Sequence, residues 1–362
     1  MTSGPATEQQ LPDKRPTLVS LAAFVVVIAG MKTASSLIVP FLLALFLSII
    51  CLPLLLWLKR FNVPEPLALL IILVLVIGSW FFMVILVGST LAEFTGLVPQ
   101  YQDRMKLLIS QAYSWLVSRG VEVDKTMLDS IFDPGRILRL ITNTMNSLVA
   151  ILKNAFFILL MFSFLMIEAS GFPEKIQAMR RYKEGSLSSY TAIIGMVNKY
   201  LGIKALTSLI TGGLIYFGLL MQGVDFPILW ALLAFILNFV PTIGSLIASI
   251  PAILLSLVQL GFSSALTTAI IFLVVNTLIG SIAEPKIMGQ RVGLSTIVVF
   301  LSLIFWGWVL GPVGMLLSVP LTMAVKIGLS ENENTRWISI MLAPNREVAQ
   351  LRKQQTEQPP QT

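Results

Sequence analysis

Two apolar stretches that are interrupted in the same way decide the fold of this chain. The first is WALLAFILNFVPTIG (residues 230–244), which continues to Pro251, and the second is VFLSLIFWGWVLGPVG (residues 299–314), which continues to Pro320. Each consists of apolar residues, a central break of Pro and Gly, and about half a membrane span that ends at a second proline. Proline and glycine interrupt helices, so neither stretch reads as one regular span.

Working outward, one uninterrupted apolar span precedes each broken stretch, at about 201–221 and 263–282. The pattern indicates a repeat of span plus broken element, with a linker in the second copy that carries Glu284, Lys286 and Arg291. If the broken elements are re-entrant hairpins, this linker lies inside the cell, where basic residues belong, and the two copies form an inverted repeat. If the prolines only kink two full spans, the linker lies outside. Both alternatives stay open.

The composition predicts the class of protein. The 362 residues are 56% hydrophobic and 12% charged, which leaves too little polar surface for a soluble globule of this size. The chain has no histidine, and Cys51 is its single cysteine, so histidine ligation, a thiolate cluster and an internal disulfide are excluded. We read the net charge of +7 as basic cytoplasmic loops rather than as a nucleic-acid surface. We therefore expect an all-α polytopic membrane protein with ~6–8 embedded helical elements.

The charge pattern divides the chain into segments. A cluster at Lys32–Ser36 suggests that the apolar run 18–58 crosses twice as a tight helical hairpin, and Asp225 reads as a loop residue. Glu168 reads as an interfacial residue. The expected organisation, in chain order, is a disordered cytoplasmic tail (1–17), three spans (18–91), a small helical extracytoplasmic module (92–147), a fourth span (148–168), a basic cytoplasmic loop (169–200, with Lys204 just after it), a transport unit (201–327) and a cytoplasmic tail (328–362).

Candidate functional residues are the polar groups and helix breakers of the transport unit. A charge inside the bilayer costs on the order of 2.5–3.5 kcal/mol, so such a residue tends to face a cavity, an ion or a substrate. Glu284 is accordingly a candidate ion-coupling residue, or else an interfacial residue paired with Lys286 or Arg291. The candidate substrate-binding residues are Asn238, Pro241, Thr242, Gly244, Asn276, Ser281, Trp306, Gly311, Pro312 and Gly314.

The sequence contains no zinc-protease, serine-hydrolase, Walker A or kinase motif. We therefore expect no enzyme, no cofactor and no metal site.

The last third of the chain resembles a known family. The runs EPKIMG (284–289), GLST (293–296), FLSLIFWGW (300–308) and GPVGMLLSVPLT (311–322) resemble the autoinducer-2 exporter family of bacterial inner-membrane proteins. The segment LAFILNFVPTIG (233–244) is similar to the other diagnostic stretch of that family, and the likeness covers about residues 18–327. The resemblance implies a permease for the furanone signal autoinducer-2, although other members are described as Na⁺(Li⁺)/H⁺ antiporters.

Three functions follow as hypotheses. The first is secondary transport that exports a small polar organic molecule of the autoinducer-2 kind across the inner membrane. The second is Na⁺(Li⁺)/H⁺ antiport with Glu284 as the titrating group, and the third is a membrane scaffold without transport. Expected partners are membrane lipid, the substrate, protons or Na⁺, and further copies of the chain, but no nucleic acid. Both termini are expected in the cytoplasm.

Overall fold

The computed structural model describes residues 15–120, five single positions between 135 and 146, and residues 155–180, 187–241, 243–288, 293–330, 332–344 and 348–349. Within these residues the chain is helical and has no strand, which confirms the all-α expectation. The helices are α1 (Arg15–Thr33), α2 (Ser35–Arg60), α3 (Glu65–Ser118), α4 (Ala155–Arg180), α5 (Leu187–Gln222), α6 (Pro227–Leu237), α7 (Gly244–Leu260), α8 (Phe262–Asn276), a π-helical segment (Thr277–Ala283), α9 (Glu284–Met288), α10 (Thr296–Leu316), α11 (Ser318–Ser330) and α12 (Arg336–Leu342).

Five of the described helices are long and apolar enough to span a membrane. By length and composition they are Ser35–Arg60, Glu65–Ser118, Gly195–Gln222, Phe262–Ile287 and Thr296–Leu316, the last of which is broken at Gly311. Large apolar side chains are exposed along these helices, as expected for surfaces that face lipid. The expected polytopic membrane architecture is confirmed.

The N-terminal helices differ from the expected arrangement. The Ala34 amide donates to the Gly30 carbonyl at 2.9 Å, and the Ile38 amide donates to the Ala34 carbonyl at 3.0 Å. The Leu37 amide also donates to the Ala34 carbonyl, three residues back, so the helix is interrupted at Ala34 and α1 and α2 meet there at a bend. The tight hairpin expected around Lys32 is wrong, because α1 and α2 make few contacts with each other and both pack against α10. The tail before residue 15 lies outside the described residues.

Two further segments are more helical than the sequence indicates. Helix α3 is continuous over 54 residues, about 81 Å, so it extends far beyond a hydrocarbon core of about 30 Å. It merges the third span with the beginning of the expected module. Of the rest of that module, residues 121–147, the structure describes only five single positions. The expected basic loop is also largely helical, because α4 runs to Arg180 and α5 begins at Leu187.

The first broken stretch is a hairpin. The side chain of Gln259 accepts a hydrogen bond from the Asp225 amide at 2.8 Å and donates one to the Gly223 carbonyl at 3.0 Å. The two ends of residues 223–260 therefore lie together, and α6 and α7 return on each other at a turn that includes Pro241. We call residues 223–260 hairpin 1. Its first arm has 11 residues and a length of about 16 Å, so it enters a bilayer without crossing it.

The second broken stretch is a hairpin as well. Lys326 donates to the Gly293 carbonyl at 2.6 Å, and the Trp306 indole donates to the Thr322 hydroxyl at 2.9 Å. The chain reverses at Gly311, whose φ of 71° and ψ of −155° lie outside the helical region. We call residues 293–330 hairpin 2. The two hairpins rule out the alternative in which prolines kink two full spans.

The two hairpins enter from opposite ends of one helical rod. The base of hairpin 1 ends at Leu260, directly before α8, whereas hairpin 2 begins at Gly293, shortly after α9. The rod from Phe262 to Ile287 has 26 residues, about 39 Å, and separates the two bases. Both hairpins also pack against α5, hairpin 1 on the Ile215–Leu219 part and hairpin 2 on the Val197–Leu201 part. This is the connectivity of an inverted repeat.

A glycine at the tip of each hairpin allows the two arms to pack closely. A Cβ on Gly244 would lie 1.8 Å from the Leu237 carbonyl oxygen, and a Cβ on Gly314 would lie 2.0 Å from the Trp306 carbonyl oxygen. Both distances are far below van der Waals contact, and the atom in the way is backbone in each case. The two arms can therefore approach each other at the tips only because these residues have no side chain.

We predict that Gly244→Ala and Gly314→Ala each destabilise the protein by about 2 kcal/mol or more, because overpacking against backbone forces the arms apart. Thermal unfolding of the detergent-solubilised protein would measure this as a lower midpoint. The matched controls are Gly213→Ala and Gly328→Ala, where the added Cβ meets nothing within 4 Å. Equal midpoints for the tip and control variants would contradict the tip geometry.

Candidate functional site

A buried polar stripe on α5 forms the centre of the candidate site. Lys204, Thr207, Ser208 and Thr211 have 4% or less of their surface exposed, although they lie in the middle of an apolar membrane helix. Their spacing of i, i+3, i+4 and i+7 places them on one face of the helix. Polar side chains inside a membrane helix face a bundle interior or a cavity rather than lipid.

The first member of this stripe forms an ion pair with the predicted coupling residue. The Lys204 ammonium donates to both carboxylate oxygens of Glu284, at 2.8 and 2.9 Å. The side chains are 5% and 14% exposed, so the pair is almost fully withdrawn from solvent. The sequence analysis considered Lys286 and Arg291 as partners of this carboxylate and placed Lys204 beside the basic loop. The structure instead places Lys204 within α5, where it bonds Glu284, and Arg291 lies outside the described residues.

Thr211 lies on the seam between α5 and the rod. Gly218 on α5 approaches Ile271, and Lys204 approaches Glu284, so the two helices run antiparallel. Thr211 is seven residues from both Lys204 and Gly218, which puts it on the same seam, level with the start of the π-helical segment. Its hydroxyl oxygen is buried without a hydrogen-bond partner. π-helical turns occur frequently at functional sites, and this one directly precedes Glu284.

Hairpin 1 brings one predicted residue to the stripe. The Asn238 side-chain amide donates to the Ser208 hydroxyl at 2.9 Å, and both residues are buried. This bond joins the tip of hairpin 1 to the middle of α5. Pro241 and Gly244 lie in and after the same turn, whereas Thr242 lies outside the described residues.

The structure does not bring all predicted residues together. Trp306, Gly311, Pro312 and Gly314 form the first arm and tip of hairpin 2, and the Trp306 indole is already bonded to Thr322 inside that hairpin. Asn276 is half-buried just before the π-helical segment, but Ser281 within that segment is exposed. Most of the predicted set therefore divides between the two tips, whereas Asn276 and Ser281 lie on the rod.

Asp225, expected to be a plain loop residue, forms hydrogen bonds with Tyr101, Trp230 and Gln259 at the base of hairpin 1. Tyr101 of α3 donates to its carboxylate at 2.6 Å, and the Trp230 indole donates to its carbonyl at 3.0 Å. Arg104, one turn further along α3, donates to the Gln259 carbonyl. The extension of α3 beyond the membrane is therefore fastened to the base of hairpin 1.

The sequence analysis did not identify Thr207, Ser208 and Thr211, and it misplaced Lys204. The signal was available, because polar residues at i, i+3, i+4 and i+7 within an apolar span predict a polar face. In the helices and loops that the structure describes, no group of His, Cys, Asp and Glu could hold a metal ion.

These features define an all-helical membrane protein of the transporter type, with paired half-membrane hairpins and a buried polar seam between them. The chain belongs to the AI-2E transporter family, whose sequence model matches residues 21–332. The AI-2 transport protein TqsA of Escherichia coli K12 is 38% identical over 326 residues, which cover 90% of this chain and 95% of TqsA. A Haemophilus influenzae relative is 40% identical, with 90% of this chain and 95% of the relative covered. The YhhT protein of E. coli K12 is 33% identical, with 95% and 99% covered.

We predict that Lys204→Met destabilises the protein by about 3–5 kcal/mol, because it leaves the Glu284 carboxylate buried without its partner. The double variant Lys204→Met/Glu284→Gln removes both charges and should recover most of this loss. Chemical denaturation of the protein in detergent micelles would give the three free energies of unfolding.

The matched control is Lys59→Met, which breaks the half-exposed ion pair between Lys59 and Glu65 at 2.8 Å. Because an exposed pair contributes at most about 1 kcal/mol, this change should have a small effect. A Lys204→Met effect as small as that of Lys59→Met would show that the Lys204–Glu284 pair is not buried as described.

Proposed function

We propose that this protein is a secondary transporter that exports a small polar organic molecule, of the autoinducer-2 kind, across the bacterial inner membrane. The observation that carries the proposal is the pair of hairpins that enter from opposite ends of the rod and pack on one helix, α5. Two half-membrane elements with opposed entry provide a site near the midplane that can open to either side.

The nature of the cargo is supported by the chemistry of the hairpin tips. At the tip of hairpin 2, Pro312 has no N–H to offer the carbonyl of Trp308, four residues earlier, and at the tip of hairpin 1 the amide of Asn238 bonds a hydroxyl. Such groups recognise a ligand through hydrogen bonds rather than through a fixed charge. TqsA, which shares 38% of its aligned residues with this chain, is named for transport of AI-2. A furanone with several hydroxyl groups matches both considerations.

The charges support an assignment of the two sides of the protein. The base of hairpin 2 contains Lys326, and Lys286 and Arg291 precede it in the sequence, so we assign it to the cytoplasmic side by the positive-inside rule. The base of hairpin 1 and the extension of α3 then face the outside. Export requires that the site release its cargo on that side.

We expect that cells lacking this protein retain labelled autoinducer-2, and that expression of the full chain restores its release. The measurement is the initial rate of efflux from preloaded cells into fresh medium. An empty vector and the Gly213→Ala variant serve as the negative and positive controls. Equal retention of labelled autoinducer-2 in deletion and complemented cells would contradict the export proposal.

A second candidate, Na⁺(Li⁺)/H⁺ antiport, is favoured by one specific observation. Glu284 is a nearly buried carboxylate that is paired with the Lys204 ammonium, and a carboxylate in such a place can exchange a proton for a metal cation. Binding of Na⁺ at Glu284 would compete directly with the Lys204 ammonium.

For this candidate we predict that Glu284→Gln abolishes proton efflux driven by a Na⁺ pulse in proteoliposomes, recorded with an internal pH-sensitive dye. The amide can neither release a proton nor carry the charge that attracts Na⁺. The control is Glu65→Gln, at the half-exposed pair, which should leave the flux unchanged. Normal flux in the Glu284→Gln protein would exclude the antiport role of this residue.

A further inference from the structure

A cavity of about 460 Å³ lies beside the tip of hairpin 2, away from the Lys204–Glu284 pair. Its walls come from the first turns of α2, from α4 and from the two sides of the helix break, where Leu310 and Val313 flank Gly311 and Pro312. The cavity therefore lies where α2 and α4 meet hairpin 2. Its volume falls within the ~300–1,000 Å³ of small-molecule sites.

The lining restricts the chemistry of an occupant. None of the eleven lining residues is charged, and the polar ones are Ser35 and Ser36 at the beginning of α2. The remaining side chains, among them Pro40, Met161 and Leu310, are apolar. An ion or a carboxylate would find no counter-charge here. A small neutral molecule with one apolar face and a few hydroxyl or carbonyl groups would find both kinds of partner.

The helix break beside the cavity adds hydrogen-bonding capacity. The φ of 71° at Gly311 ends the backbone ladder of α10, and Pro312 cannot donate to the Trp308 carbonyl. A backbone interrupted at membrane depth is tolerated where protein encloses it or where it lines a cavity. The break at Gly311–Pro312 adjoins a cavity, because Leu310 and Val313 on its two sides are part of the cavity wall.

A second cavity of similar size provides an internal comparison. It has a volume of about 410 Å³ and lies between α3 and the helices α5 and α6, with Met83 and Phe235 in its wall. Apolar atoms make up its surface, and no helix break adjoins it. An acyl chain fits such a groove, whereas a polyhydroxylated molecule does not.

We propose that the cavity between Ser35, Ser36, Met161 and the Gly311–Pro312 break is the binding site for the transported molecule, and that it selects small uncharged ligands with hydroxyl groups. This inference rests on the proposed export function. It assigns the cargo to hairpin 2, whereas Asn238 lies in hairpin 1 and Asn276 lies on the rod. The Lys204–Glu284 seam is then separate from the cargo site.

The test is equilibrium binding of labelled autoinducer-2 to the purified full-length protein in lipid nanodiscs. Met161→Trp, which fills the cavity, should weaken binding at least tenfold, and Ser35→Ala/Ser36→Ala should weaken it several-fold through lost hydrogen bonds. The matched control is Met83→Trp, which places the same bulk in the apolar cavity and should leave binding unchanged. The double serine variant keeps the test valid if the larger tryptophan disturbs folding.

Unchanged binding in both the Met161→Trp and the double serine variants would overturn the proposed site, as would absence of binding to the wild-type protein. Binding that these variants weaken, in a protein that restores no efflux to deletion cells, would support the site and contradict export. Export that persists at the wild-type rate in a stable Met161→Trp protein would contradict the site and leave the export function standing.

Discussion

The structure depends on one constraint, which is that an interrupted backbone inside a membrane must be enclosed by protein. The helices are interrupted at Pro241 and at Gly311–Pro312, where Gly311 has a φ of 71° that favours glycine. Hydrocarbon cannot satisfy the freed backbone groups, so each broken element folds back on itself and packs against another helix. Helix α5 supplies the packing surface for both hairpins, one on each half of its length.

The same helix also carries Lys204, the basic partner in the buried ion pair. Lys204 holds Glu284 across the seam between α5 and the rod, and Ser208 holds the tip of hairpin 1 through Asn238. A buried pair of this kind contributes little net stability, since desolvation offsets the attraction, but it strongly penalises the loss of either partner. The pair therefore favours one register of α5 against the rod.

Different hydrogen bonds hold the bases of the two hairpins. Hairpin 1 is fastened from outside by Tyr101 and Arg104 of α3, and a closed network of Gln222, Ser256, Ser264 and Thr268 joins the adjacent helices. The base of hairpin 2 is bonded through Lys326 to Gly293 and through the backbone of Ser295 to Leu342.

The sequence by itself determined the membrane class, the helical content and the two broken elements, because composition and helix breakers act locally, and it marked Glu284 as a candidate. It could not give the partner of Glu284, since Lys204 lies 80 residues away and is close only when α5 and the rod pack antiparallel. Nor could it show that Asp225 bonds Tyr101 of α3 or that Lys32–Ser36 marks a bend, because these features depend on neighbouring helices and on the backbone ladder. Only the tertiary structure decided which predicted residues meet, because a contact between distant helices depends on their register and not on local pattern.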